Sequence, residues 1–344
     1  IAEYKIQRAL QSLRVAGVLH RRGSSVLEGA VEYRLQSEIF QQVCYDSLVQ
    51  RERKRIHESV GHSLSLVNMN IEQALLGRHY KLGDKPDCAV TCFLLGAESR
   101  LDEYSLQEAM DLLDEIQDIL DVYSGESIGR IAERSKRVRY YKARARVCYH
   151  QGELDESMAA IDCGFQLLQL PEKRDGEQES ELEKFAAELH KVRGDVYRTR
   201  GAPEQAIVAY REAYSRFSDA GSAPCTRIDI QGSIAWALRE MEQEDEALKI
   251  SRSIISQYEG LEIEGSSMAE ALARHYDTIG TISLGKKELD TAQTMYQKAK
   301  ELREVGSKVE LLAHSDGNLA CVAALTGDWL KASGVFGRVV HLWT

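Results

Sequence analysis

The chain has 344 residues, of which 28% are charged and 43% apolar, and a formal net charge of -10. This is a globular composition, long enough for one large core or for a stack of repeats. The acidic balance argues against bulk electrostatic binding of nucleic acid, which needs a basic surface. Seven cysteines with no CxxC pair suit a reducing compartment. No signal peptide and no apolar run long enough for a bilayer are present, so the expectation is a cytoplasmic protein with no membrane and no nucleic-acid partner. Ile1 and the final residues 341–344 both look like cuts within a longer protein.

In chain order, residues 1–62 form one region and residues 63–344 another. The first predicts a helix over 6–19, then Arg21, Arg22 and Gly23, then a strand-like alternation over 31–35. Two helices follow, over 37–48 and 51–66.

The second region has the 3.6-residue apolar period of amphipathic helices throughout. Small residues recur in pairs twelve apart: Ala97 with Ala109, Ala145 with Ser157, Gly194 with Ala206, Ala235 with Ala247, Gly280 with Ala292, and Ala320 with Ala332. Each pair brackets a short break, as at 151–154, 200–203 and 326–329. Small residues on both arms let two antiparallel helices approach, and a Gly closes the turn. Four residues past the second small position stands a large apolar residue, Ile161, Tyr210, Tyr296 or Phe336. Gly164, Ala213 and Ala299 follow three later.

These residues resemble the tetratricopeptide (TPR) repeat, over roughly residues 70–344. Gly194 to Tyr197 with Gly201 and Ala206, and Asn318 to Ala320 with Gly327 to Trp329 and Ala332, match best. The resemblance implies an all-α, TPR-like α-α superhelix. The steps between repeats exceed the usual period of about 34, which predicts lengthened helices and connections. HEAT-like helical pairs are the alternative fold.

The N-terminal region carries its own resemblance. Leu13, residues 16–19, Tyr33 to Leu35, Val43 to Leu48 and Arg53 to His57 fall in the order found at the junction of winged helix and TPR region in STAND-type ATPases, including AAA-linked adenylate and guanylate cyclases. That resemblance implies a winged-helix remnant over 1–62, a nucleotide-binding domain upstream in the parent chain, and a repeat sensor over 63–344. The group usually carries a His just after the wing. Ser37 stands there, which puts nucleotide coupling in question.

Other constellations carry less chemistry. Gly280 to Lys287 nearly spells a phosphate-binding loop, but Lys287 takes the place of the Ser or Thr that would hold magnesium, and the segment reads as helix then turn. Cys88 and Cys92, one turn apart, read as core thiols. His57 and His62 are five apart and do not share a face; His57 reads as a packing or capping residue. The basic run Arg51, Arg53, Lys54 and Arg55 reads as a solvated face. No nucleophile motif and no acid–base carboxylate pair stands out, so no catalytic residue, metal or cofactor is expected in this segment.

The repeat register aims Arg139, Lys142, Arg146 and Tyr149 of one first helix, Lys191, Asp195 and Arg198 of the next, and Trp236 and Arg239 of a third toward the concave side. This basic stripe with aromatic members suits a protein partner or an acidic or phosphorylated peptide; the alternative is a set of ordinary surface charges. The functional expectation is a non-catalytic sensor segment of a STAND-type signalling ATPase, such as a cyclase. The alternative is a stand-alone TPR scaffold without a nucleotide module.

Overall fold

The computed structural model describes residues 2–22, 31–66, 72–123, 133–169, 176–219, 224–261, 263, 265–304 and 309–343. They form sixteen helices and one two-stranded ribbon, in two compact units spanning 1–136 and 137–344.

The first unit opens with α1 (Ala2–Val15), β1 (Leu19–Arg21), β2 (Tyr33–Leu35), α2 (Glu38–Ser47) and α3 (Gln50–Leu66). The helix expected over 6–19 stops earlier. Gly17 adopts φ 72°, and the amide of Val18 closes back onto the Leu13 carbonyl. That left-handed cap ends the helix and frees Leu19 for a strand. β1 pairs antiparallel with β2, Leu19 opposite Leu35 and Arg21 opposite Tyr33. Ser37 begins α2 as its cap, its hydroxyl accepting from the Phe40 amide at 3.3 Å. Three more helices complete the unit: α4 (Gln73–Leu82), α5 (Pro86–Asp102) and α6 (Leu106–Val122).

The second unit is a run of antiparallel hairpins. They are α7 (Arg134–Gln151, beginning at the boundary) with α8 (Leu154–Gln169), and α9 (Gly176–Thr199) with α10 (Pro203–Asp219). Then come α11 (Pro224–Glu240) with α12 (Glu244–Tyr258), α13 (Ser266–Gly285) with α14 (Leu289–Glu304), and α15 (Val309–Leu325) with α16 (Trp329–Trp343). This is a TPR-like helical repeat.

The steric reason is visible at each seam. All six pairs of small residues spaced twelve apart are buried. A Cβ on Gly194 would lie 2.5 Å from the Tyr210 ring, and one on Gly280 2.8 Å from the Tyr296 ring. Tyr210, Ile161, Ala213 and Ala299 are fully enclosed, whereas Phe336, in the last hairpin, is exposed. Ser157 takes a small position and donates its hydroxyl to the Ala145 carbonyl at 2.8 Å, so its polar atom is satisfied inside the seam.

A seventh hairpin escaped the sequence reading. Gly77, Ala89, Phe93 and Gly96 repeat the same spacings, and a Cβ on Gly77 would meet the Phe93 ring at 2.6 Å. Here α5 serves twice. It packs on α4 through Ala89 and Phe93, and on α6 through Ala97. Being buried on two sides, α5 lacks a clean polar face, which hid its double role.

All seven turns share one geometry. The residue five before the second small position is left-handed: Asp84, Tyr104, Gly152, Gly201, Glu242, Lys287 and Gly327. The next amide bonds back to the helix in every turn, as from Glu153 to the Cys148 carbonyl and from Glu288 to the Ser283 carbonyl.

Candidate interaction face

Within the second unit, the first helix of each hairpin presents a repeating register. Counted back from the buried small residue, the position three before holds Lys142, Lys191, Gly232 and Asp277. The position six before holds Arg139, Glu188, Asp229, Arg274 and His314. Successive helices join these positions. The Lys142 ammonium sits 2.7 Å from Glu188 and 5.2 Å over the Phe185 ring. Lys191 pairs with Asp229. Where Gly232 offers no charge, Arg274 reaches Asp229 at 3.1 Å instead. Asp277 receives Arg303 at 2.7 Å and Asn318 at 3.3 Å.

Nearer the turns, Arg198 lies 3.6 Å from Glu240, and the Trp236 indole donates to Glu240 at 2.9 Å. The Arg239 guanidinium stacks on the Trp236 ring at 4.1 Å. Tyr149 accepts a hydrogen bond from Thr199 at 3.4 Å, and Asp195 accepts from the Tyr210 hydroxyl at 2.7 Å. Arg139 and Arg146 lie half-buried on α7. The eight basic and aromatic residues of the stripe, and Asp195 with them, therefore fall on α7, α9 and α11, and several are already engaged by acids.

Burial sets the electrostatics of this ladder. Desolvation alone would raise the Asp229 carboxyl, but Arg274 and Lys191 outweigh it and hold it near a pKa of about 2. Arg303 is almost wholly enclosed, and although burial opposes its charge, Glu270 and Asp277 raise its pKa. The sequence reading missed Glu188, Asp229, Glu240, Glu270, Asp277, Arg274 and Arg303. Aligning the first helices on their small residues brings all but Glu240, Glu270 and Arg303 into register. A cavity of about 350 Å³ opens along the ladder, between Lys191 and Asp229 on one side and Glu270 and Arg303 on the other.

The remaining candidates resolve simply. Gly280 to Gly285 belongs to α13, and Lys286 and Lys287 form its turn. Cys92 is core, its thiol pushed up to about 11 by burial. His57 bridges three helices, its Nε2 3.0 Å from the Tyr45 hydroxyl and its Nδ1 3.0 Å from Nδ1 of His79. In the basic run, Arg53 donates to the carbonyls of Leu48 and Asp46, and Lys54 pairs with Asp84; Arg51 and Arg55 are exposed.

No family model matches the chain. No curated protein matches it either. Solved structures do. A Rap protein complexed with Competence and Sporulation Factor aligns at 15% identity, with a TM-score of 0.56, covering 88% of this chain and 76% of that one. The quorum sensor NprR from B. thuringiensis aligns at 15% identity, with a TM-score of 0.53 and coverages of 88% and 77%. Aspartyl phosphate phosphatase F from Bacillus subtilis aligns at 14% identity, with a TM-score of 0.53 and coverages of 89% and 87%. At such identities the likeness is one of fold.

Proposed function

We propose that this chain is a non-catalytic regulatory segment that holds an extended acidic or phosphorylated protein segment on the first helices of its second unit. The observation that carries the reading is α7, which bears seven Lys and Arg and no Asp or Glu, at one end of a charged and aromatic ladder. On an acidic chain, that concentration of positive potential favours an acidic ligand. Arg139, Lys142, Arg146, Tyr149, Lys191, Arg198, Trp236 and Arg239 form the contact surface. The fold lends support, because the aligned Rap structure is a complex with Competence and Sporulation Factor, and NprR also aligns in complex with its cognate peptide NprX.

The binding test uses fluorescent ten-residue peptides, one set Glu-rich and one Lys-rich, titrated onto the whole chain. Glu-rich peptides should bind, and Arg146→Glu with Lys191→Glu should weaken them at least tenfold. Equal affinity for both sets, or no response to the charge reversal, would sink the reading.

The helix, ribbon and helix of residues 2–47 support a second element of the proposal, a parent of the STAND type. That order of elements is the one expected of a winged-helix tail leading into a repeat sensor. Ser37 stands where that group usually carries a His, and its hydroxyl caps α2 by accepting from the Phe40 amide. A Walker A motif in the gene upstream of residue 1 is the check, and its absence would leave a free-standing adaptor.

A further inference from the structure

A buried guanidinium normally spends its hydrogen bonds. In the second unit, two cations that stack on aromatic rings each also reach an acid: Lys142 over Phe185 with Glu188 at 2.7 Å, and Arg193 over Phe165 with Asp162 at 2.6 Å. Arg239 does not. It stacks on Trp236 with its side chain 25% exposed, and its Nε is buried without a partner. It makes no hydrogen bond among the described residues, and its one ion pair there, to Glu240, is 3.9 Å long. That length lies beyond a hydrogen bond.

The groups around Arg239 are already committed. Oε1 of Glu240 accepts from the Trp236 indole at 2.9 Å and also faces Arg198 at 3.6 Å, so one oxygen serves an indole and two guanidinium groups. Asp195 accepts from the Tyr210 hydroxyl and, with Glu240, favours the charged form of Arg198 against its burial. The Thr281 and Tyr296 hydroxyls bond each other at 3.0 Å, and Arg239 acts on the Tyr296 phenol against the burial that raises it. The missing partner of Arg239 is therefore an acceptor, and water satisfies a donor without meeting its charge. A guanidinium held flat on an indole presents a rigid fork that matches two oxygens of one anion.

Resting on the ligand class argued above, we propose that the Nε edge of Arg239 seats one oxyanion of the bound segment, a carboxylate or a phosphate, with Arg198 across Glu240 as the second cation. The other basic residues of the face steer the segment, and this group fixes where it sits.

The test titrates the fluorescent Glu-rich peptide, and a counterpart with phosphoserine at the Glu positions, onto the whole chain and three variants. Arg239→Gln should weaken binding at least tenfold. Arg239→Lys should recover only part of that loss, because an ammonium lacks the fork. Arg252→Gln, an equal loss of charge at an exposed residue of α12, should stay within twofold. The peptide that loses more in Arg239→Gln names the source, carboxylate or phosphate. Nitrogen-15 spectra of arginine Nε–H groups read the contact directly in the parent: the Arg239 signal, assigned by its absence in the Lys variant, should shift as peptide is added. Equal losses in Arg239→Gln and Arg252→Gln, or an Arg239 signal indifferent to saturating peptide, overturn the proposal. If the Glu-rich peptide then still responds to Arg146→Glu with Lys191→Glu, the binding face survives that failure. If neither peptide binds the parent, both readings fall.

Discussion

Lys287 sits at φ 63° in the turn between α13 and α14, the conformation that Gly201 adopts at φ 74° between α9 and α10. An L side chain is strained there by roughly 1–2 kcal/mol, and glycine is not. The glycine's freer unfolded chain returns part of that gain. Lys287→Gly should therefore raise stability by about 0.5–1 kcal/mol, read as a higher urea midpoint at unchanged slope. Gly201→Ala should lower it by about 1 kcal/mol. A Cβ at Gly201 meets nothing within 4 Å, so the backbone alone decides the outcome. If both variants move the midpoint in the same direction, the left-handed turn is not the cause. The glycines of these turns were legible in the sequence. Tyr104, Glu242 and Lys287 were not, because nothing in their chemistry announces a left-handed residue, and Asp84 carried only the mild left-handed tolerance of an aspartate.

At the scale of elements, α13 is held to its neighbours by His275, a fully buried imidazole. Its Nδ1 lies 3.2 Å from the Ser251 hydroxyl on α12 and its Nε2 3.1 Å from the Ile228 carbonyl on α11. Burial lowers its pKa to about 4, with Arg274 adding to the effect, while the Ile228 carbonyl and Asp229 oppose it. The folded state thus refuses a proton that the unfolded state accepts from about pH 6.5 downward. Stability from this group is complete above that pH and is lost as the pH falls toward 4, by about 3 kcal/mol at most. His275→Gln should cost stability at neutral pH and flatten the decline between pH 6.5 and 4.5. Denaturant melts at both pH values check this; parallel declines in parent and variant would assign the acid sensitivity elsewhere. Neither His275 nor the double use of α5 was evident beforehand. Each depends on which helices flank an element on both sides, which its own periodicity does not encode.

At the scale of the molecule, a repeat stack is stabilised between neighbours, so damage should stay local. Arg303 makes that testable. It reaches back to Glu270 and Asp277 on α13 and donates to the Ser315 hydroxyl on α15 at 2.8 Å. Arg303→Met would leave those carboxylates short of a buried cation, at a cost of about 3–5 kcal/mol. Hydrogen exchange should show protection lost first in α13, α14 and α15, with α7 and α8 close to the parent. Uniform loss along the second unit would mean that the stack opens as one cooperative block.

What the sequence determined by itself was the helix hairpin. Two helices can touch closely only where both lack bulk, so the twelve-residue pairing of Gly and Ala states a steric condition that is met within a single hairpin and can be read locally. Only the tertiary structure decided which charges meet. Lys142 and Glu188, or Lys191 and Asp229, are each about a repeat apart, and surface charge has no period that fixes its partner. The expected basic stripe thus became a ladder partly neutralised by acids from the next helix.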